Sequence, residues 1–454
     1  MRHHERTGSA ASLATVERAC SAMARGGIYD QLAGGFARYS VDASWVVPHF
    51  EKMLYDNALL LRVYAHWVRL SGKPLARKVT DETARFIIGE LGEGGMFTSS
   101  LDADTDGVEG LTYAWTRGQL REVLGDDDGD WAATLFAVTE AGTFERGTSV
   151  LQLIGNPDSF SRFQRARILL GRARLGRPQP GRDDKVVTAW NGFAITALAE
   201  ASVALERTEF LEAATQCARS LVDLHVVDGR LRRASLGGEV GDSAAILEDH
   251  AALATGLLTL YQVTGDAEWL SLATGLLDVA LDHFADPERA GRWFDTADDA
   301  EQLMVRPADP IDGATPSGAS LITEALQLAA HLAPVGAADR YASAAAASLA
   351  AATPILARSP RSGGHWLAVA EAAVRGPIQI AVACETADSA LLATARALAP
   401  GGAIVVGGAA DSSELLSGRM RIDGRDAAYV CRGRVCDLPV TTAVELMSAL
   451  GPAV

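Results

Sequence analysis

The sequence predicts an all-α protein, a ring of paired helices of the (α/α)6 type, followed by a small α/β lobe. Three observations carry that expectation. Alanine and leucine dominate a chain that is 48% hydrophobic and only 6% aromatic, a composition that favours helix. From about Ser12 to Ala372, apolar helical segments alternate with loops rich in Gly, Asp and Pro. After Gly376 the texture changes to short β-type runs. With 454 residues the chain exceeds the size at which one core stops growing. The expected division is therefore a helical domain over residues 1–375 and a lobe over 376–454.

Within the helical domain, segments of two kinds recur. "VVTAWNGFAITALAEASVALER" from Val186 and "SAAILEDHAALATGLLTLYQV" from Ser243 are apolar on nearly every face, which suits helices enclosed on all sides. Each is followed by a helix with one apolar stripe. In "FLEAATQCARSLVDL", Leu211, Ala214, Ala218 and Leu221 share one face while Glu212, Gln216 and Arg219 lie elsewhere. A glycine followed closely by a large apolar residue also recurs, at Gly35-Phe36, Gly95-Phe97, Gly142-Phe144, Gly229-Leu231, Gly291-Phe294 and Gly364-Trp366. The spacing averages roughly sixty residues, the length of a helical hairpin with a long connection.

If the inner helices run parallel, polar residues at their starts converge on one mouth. Those residues are His49, Glu51, Tyr55, Asp56 and Asn57; Asp183, Asp184, Lys185, Trp190 and Asn191; Glu248, Asp249 and His250; and Ser317. In the lobe, "PIQIAVAC", "GAIVVGG" and "AAYVCRGRVC" read as strands, with helices near 387–398 and 441–449.

Charge and composition exclude several classes of function. The net charge is −16 and the only basic cluster is the opening "MRHHER", so neither a nucleic-acid groove nor an anionic membrane surface is expected. The longest uncharged stretch, Tyr341 to Ala357, holds Ser343, Ser348 and Pro354 and reads as a packed helix rather than a bilayer span. No apolar run follows the N-terminus, so no secretory leader is expected. Five widely spread cysteines fit reduced thiols and a cytoplasmic location.

Several stretches together resemble one family: "GGIYDQLAGGFARYSVDASWVVPHFEKMLYDNA", "SSLDADTDGVEGLTYAWT", "RDDKVVTAWNGFAITALA", "LEDHAALATGLLTLY", "DGATPSGAS" and "YVCRGRVCDLP". The resemblance is to the spermatogenesis-associated, thioredoxin-domain-containing proteins. Their helical region is similar to N-acylglucosamine 2-epimerases and six-hairpin glycosidases. It implies the toroid more firmly than any reaction. The chain departs from that pattern in having no C-x-x-C motif and no thioredoxin-like stretch, and it opens after the segment that normally begins the first inner helix. The expectations are a fragment of a longer chain, a misassigned start, or a ring without that helix, with a thioredoxin-like partner acting in trans as a further one. Ala319 also stands where the family tends to have asparagine.

The chemistry leaves alternatives open. "SLDADTDGVEG" offers Asp102, Asp104, Asp106 and Glu109, but Tyr113 stands where a calcium loop needs its closing glutamate. The loop reads either as a solvated acidic turn or as one carboxyl partner of a glycosyl acid/base pair, with Glu248 or Asp249 as the other. Helix N-termini stabilise anions and so oppose a protonated acid there unless desolvation outweighs them. His49 and His250 are candidates for proton transfer in epimerisation, against a structural reading of each. Glu51, Tyr55, Asp56, Asp184 and Ser317 are candidate substrate contacts, and Trp190 with Asn191 offers a stacking face and an amide for sugar hydroxyls; packing around Gly192 is the competing reading. Cys431 and Cys436 lack two further zinc ligands nearby and read as a reduced pair or a regulatory disulfide. The function expected is a sugar epimerase, isomerase or glycoside-processing enzyme that takes a small-molecule or oligosaccharide ligand and uses no cofactor and no metal. The alternative is a non-catalytic barrel that binds a glycan, a peptide or a partner protein.

Overall fold

The computed structural model describes residues 1–433 and 435–451. It is mostly helical and divides into two compact units, Ala14–Lys185 and Met1–Leu13 with Val186–Val454. Both units are built from the helical hairpins expected of an (α/α)6 ring.

Two helices open the chain, α1 (Arg2–Thr7) and α2 (Ala10–Arg25). In the unit Ala14–Lys185, α3 (Leu54–Ser71) and α4 (Pro74–Glu90) form a hairpin. Gly72 ends α3 at a φ of 60°, a conformation that glycine adopts without strain. A proline then opens α4 where its missing N–H costs nothing. The helices α5 (Arg117–Leu124), α6 (Asp126–Leu135) and α7 (Phe160–Leu175) surround a core of Trp115, Phe136 and Phe163. The start of α3 is held in two ways. Strand Lys52–Met53 pairs antiparallel with Ser100–Leu101, which pairs in turn with Arg182–Asp183. The buried Asn57 amide accepts from Phe36 N at 2.7 Å and donates to Phe36 O at 3.0 Å, tying the preceding glycine-rich loop to the helix.

In the other unit, α8 (Thr188–Leu205), α10 (Leu247–Thr264) and α12 (Gly318–Leu332) are the enclosed helices, with α10 between the other two. Each packs against a one-sided partner, α9 (Thr208–His225), α11 (Ala267–His283) or α13 (Val335–Arg358). The three enclosed helices are parallel, because their first turns meet. Asp249 of α10 accepts from the backbone N of Ala189 in α8 at 3.0 Å, and Gly318 of α12 lies against Glu248 N. Close approach is what makes α8 and α10 neighbours: a Cβ on Gly192 would sit 2.5 Å from the Ala252 carbonyl carbon. Gly192→Ala is therefore expected to destabilise the protein by about 1–3 kcal/mol. Gly275→Ala in α11, where a Cβ meets nothing within 4 Å, should instead gain roughly 0.5–1 kcal/mol. Urea unfolding of the two variants tests the pair, and equal midpoints would contradict it.

Helix α14 (Gly364–Arg375) precedes the C-terminal sheet. Its strands lie in the order Ile404–Gly408, Ile378–Ala383, Ala427–Arg432, Val435–Cys436; the first pair is parallel and the others antiparallel. Helices α15 (Ala390–Leu398) and α16 (Ala443–Leu450) cover a core that includes Ile380, Val382, Leu392, Val430 and Leu446. The expected change of texture after Gly376 is thus real, and it occurs within the unit that also holds α8 to α14. Of the two alternatives for Cys431 and Cys436, a reduced pair or a disulfide, the structure has the bond, between residues opposite one another on adjacent strands, while Cys20, Cys217 and Cys384 are free and buried. Among the described residues, no helix is long and apolar enough to cross a membrane.

Candidate functional site

In the unit Ala14–Lys185, three expected residues, Glu51, Tyr55 and Asp56, meet around Arg38 at and before the start of α3. Glu51 pairs with Arg38 at 3.2 Å. Tyr55 is buried, and burial raises its phenol, with Asp56 adding to the rise and Arg38 opposing it. Asp56 is the informative group. Its Oδ2 is buried without a hydrogen-bond partner. Burial pushes its carboxyl up to about 7, with Arg38 opposing and Glu51 reinforcing the shift. Desolvation therefore outweighs the helix terminus that should hold this carboxyl low. His49, two residues before Glu51, lies half-buried, its Nδ1 3.0 Å from Glu109 Oε1 and its ring stacked on Tyr39 at 4.7 Å between centroids.

The acidic loop is a hairpin in which Asp104 stands opposite Glu109, so Asp104 is brought next to the carboxylate that holds His49. Asp102 and Asp104 are nevertheless exposed, as the solvated-turn reading has it. A carboxyl in water lacks the desolvation that a protonated acid needs. Asp184 is likewise exposed, bonded to Arg182 at 2.5 Å.

In the other unit, Glu248 begins α10 half-buried, and burial pushes its carboxyl up to about 7, helped by Asp249 and Asp295 and opposed by Arg233. Its neighbours are held in structural contacts. Asp249 is fully buried and accepts from Ala189 N, Ile246 N and Arg233 Nη1 at 2.9 to 3.0 Å, which joins two helix starts. His250 is buried against Phe284, its Nδ1 3.1 Å from Ile246 O, and burial lowers it to about 4. An imidazole that stays neutral this far below neutrality is a poor shuttle at physiological pH. Asn191 is fully buried, donating to Val187 O at 3.0 Å and accepting from Cys217 Sγ at 3.2 Å, so packing accounts for its amide. Trp190 is half-buried. Ser317 caps α12, accepting from Ser320 N at 3.2 Å.

Two features escaped the sequence reading. Arg38 was one arginine among many. A buried polar line also runs from Asp312 through Ser320 and His365 to Glu324 and Arg2, with successive contacts of 2.9, 3.0, 3.0 and 3.1 Å. A single glutamate inside "GASLITEALQLAAHL" was the available signal, since a buried carboxylate demands partners. Ser320 is fully buried, so this line braces α12 and α14.

No family model matches the chain. Human spermatogenesis-associated protein 20 is 29% identical over 95% of this chain and 62% of its own length. The mouse protein of that name is 32% identical over 66% of this chain and 44% of its own length. The chain thus spans roughly half to three-fifths of these relatives. Among solved structures, cellobiose 2-epimerase from Spirochaeta thermophila aligns at a TM-score of 0.44 and 14% identity, covering 76% of this chain and 71% of that one. Across nearly all of its sequence, the chain is a homologue of the proteins named spermatogenesis-associated protein 20.

Proposed function

We propose that the chain acts on a sugar by acid/base catalysis, with Asp56 as the proton donor. The observation that carries this reading is the buried, unpartnered Oδ2 of a carboxyl that keeps its proton up to about pH 7. A group of that kind gives a proton to a carbonyl or glycosidic oxygen near neutrality. Glu51, paired with Arg38, is the complementary carboxylate, and Tyr55 with Arg38 offers donors to ring hydroxyls. Epimerisation, isomerisation and glycoside cleavage all fit an acid beside a base. Glu248 in the other unit is a second carboxyl of the same character.

A binding-only barrel is the rival reading. It is favoured by the internal satisfaction of Asn191 and Asp249, which leaves fewer groups free for chemistry. Incubation of the purified protein with a panel of reducing sugars and oligosaccharides, followed by NMR, separates the two. New isomers or cleavage products that vanish in Asp56→Asn support catalysis. Ligand-induced thermal stabilisation without turnover supports binding. A panel with neither result would sink the carbohydrate reading.

A further inference from the structure

The C-terminal sheet carries a sulfur site that the acid/base chemistry does not use. Cys431 is buried in its strand and bonded to Cys436, which is exposed on the short outer strand. Arg419 reaches both sulfurs: its Nη2 lies 3.2 Å from Cys431 Sγ and 3.4 Å from Cys436 Sγ. Its Nη1 donates to Leu415 O, which fixes the guanidinium in place. Among the described residues Arg419 makes no ion pair with a carboxylate, although burial lowers its pKa and so disfavours its charge. A neutral disulfide sulfur is a weak acceptor and offers this cation little. A thiolate in the same place would neutralise it. Cations beside a cysteine lower the thiol pKa and improve the sulfur as a leaving group.

We propose that Cys431–Cys436 is a thiol–disulfide exchange site for external thiols, with Cys436 as the sulfur attacked and Cys431 as the sulfur released toward Arg419. The attacking thiolate donates its electron pair to Cys436 Sγ. A new S–S bond forms as the Cys431–Cys436 bond breaks, and the displaced pair remains on Cys431 Sγ as a thiolate facing the guanidinium. With a dithiol reagent, the second thiol then attacks its own bridging sulfur and releases Cys436. Two electrons pass from the dithiol, which becomes a disulfide, to the two cysteines. The protons lost by the dithiol go to the cysteines or to solvent.

The test uses the full chain under native conditions. Reduction by dithiothreitol is followed by acid quench, alkylation and mass spectrometry. The wild type is expected to be reduced without denaturant. Cys431→Ser is expected to trap glutathione on Cys436, whereas Cys436→Ser leaves Cys431 largely unmodified. Arg419→Gln should slow reduction by about tenfold, because a sulfur released without the cation beside it is a poorer leaving group, and Arg419→Lys should restore most of the rate by restoring the charge. The ultraviolet absorbance of the thiolate in the reduced protein should appear below the ordinary cysteine range of about 8.5 and move up in Arg419→Gln. A disulfide that resists dithiothreitol until the chain is unfolded would overturn the proposal, as would equal rates for wild type and Arg419→Gln.

Discussion

Asp30→Ala is expected to cost about 3–5 kcal/mol of folding stability, the range for removing one partner from a buried ion cluster. Asp30 accepts from Lys52 Nζ at 2.8 Å and, with both carboxylate oxygens, from Arg174 Nη1 at 2.8 Å. Lys52 is buried at only 4% exposed, and the Arg174 and Asp30 side chains are largely shielded from solvent. Lys52 Nζ also donates to Gly34 O at 3.2 Å and sits over the rings of Phe86 and Tyr113 at 4.8 and 4.9 Å. Without Asp30, both cations lose their hydrogen-bonded carboxylate, and Lys52 keeps one carbonyl and two ring faces while Arg174 keeps the Tyr113 face and the field of Glu90. The adjoining cavity of about 30 Å³, which Asp30, Lys52 and Arg174 help line, leaves room for very little water. Burial by itself raises the Asp30 carboxyl, but Arg174 and Lys52 outweigh it and hold the group well below the usual carboxylate range. The sign follows. The contribution is complete above the unfolded-state pKa, near 3.9, and is lost as pH falls through the depressed folded value. Urea unfolding of wild type, Asp30→Ala and Asp30→Asn measures the effect, and Asn keeps the shape while removing the charge. An Asn variant within 1 kcal/mol of wild type would mean that the cluster contributes packing rather than electrostatics.

The second large effect concerns Asp56 and has opposite consequences for stability and turnover. Asp56 lies above its unfolded value because burial disfavours its charge. The folded state therefore holds an extra proton between about pH 4 and pH 7, and stability falls as pH rises through that window. Asp56→Asn removes the penalty, which scales as ~1.4 kcal/mol per pKa unit. The variant is expected to melt higher than wild type near pH 8, with the gap closing toward about pH 4. Activity should move the other way: loss of the donor costs roughly 10²–10⁴ in turnover. The wild-type rate should decline above about pH 7 as the acid ionises. Differential scanning calorimetry across pH measures the first effect and a pH–rate profile the second. A melting difference independent of pH would refute the buried-proton account of this side chain.

Much of the fold was legible because helix periodicity and burial leave a direct imprint on residue order. The all-round apolar character of 186–207 and 243–263 identified α8 and α10 as enclosed, and the stripe in 210–224 identified α9 as one-sided, since a helix that buries every face tolerates few polar positions. The lobe after Gly376 was equally plain from its β-branched runs. The candidate site was less completely legible. Residue order points to the starts of α3 and α10, with Glu248 among the candidate catalytic carboxylates and Asp56 among the substrate contacts, but it does not say which carboxyl burial perturbs. Asp249 and Asn191, candidates for chemistry, link α10 to α8 and α9 to α8, and His250 bonds back to Ile246 O and packs on Phe284. Asp102 and Asp104 are exposed, while Asp56, one position among several, became the perturbed acid.

The sequence by itself determined which segments are helices, which of them are enclosed, and where polar groups gather at helix starts, because these depend on neighbours a few residues away. Only the tertiary structure decided the protonation of Asp56 and Glu248, the partners of Asp30 and the bond between Cys431 and Cys436. A carboxyl's pKa is set by the balance of lost water against nearby charge, and that balance is made by residues distant in the chain.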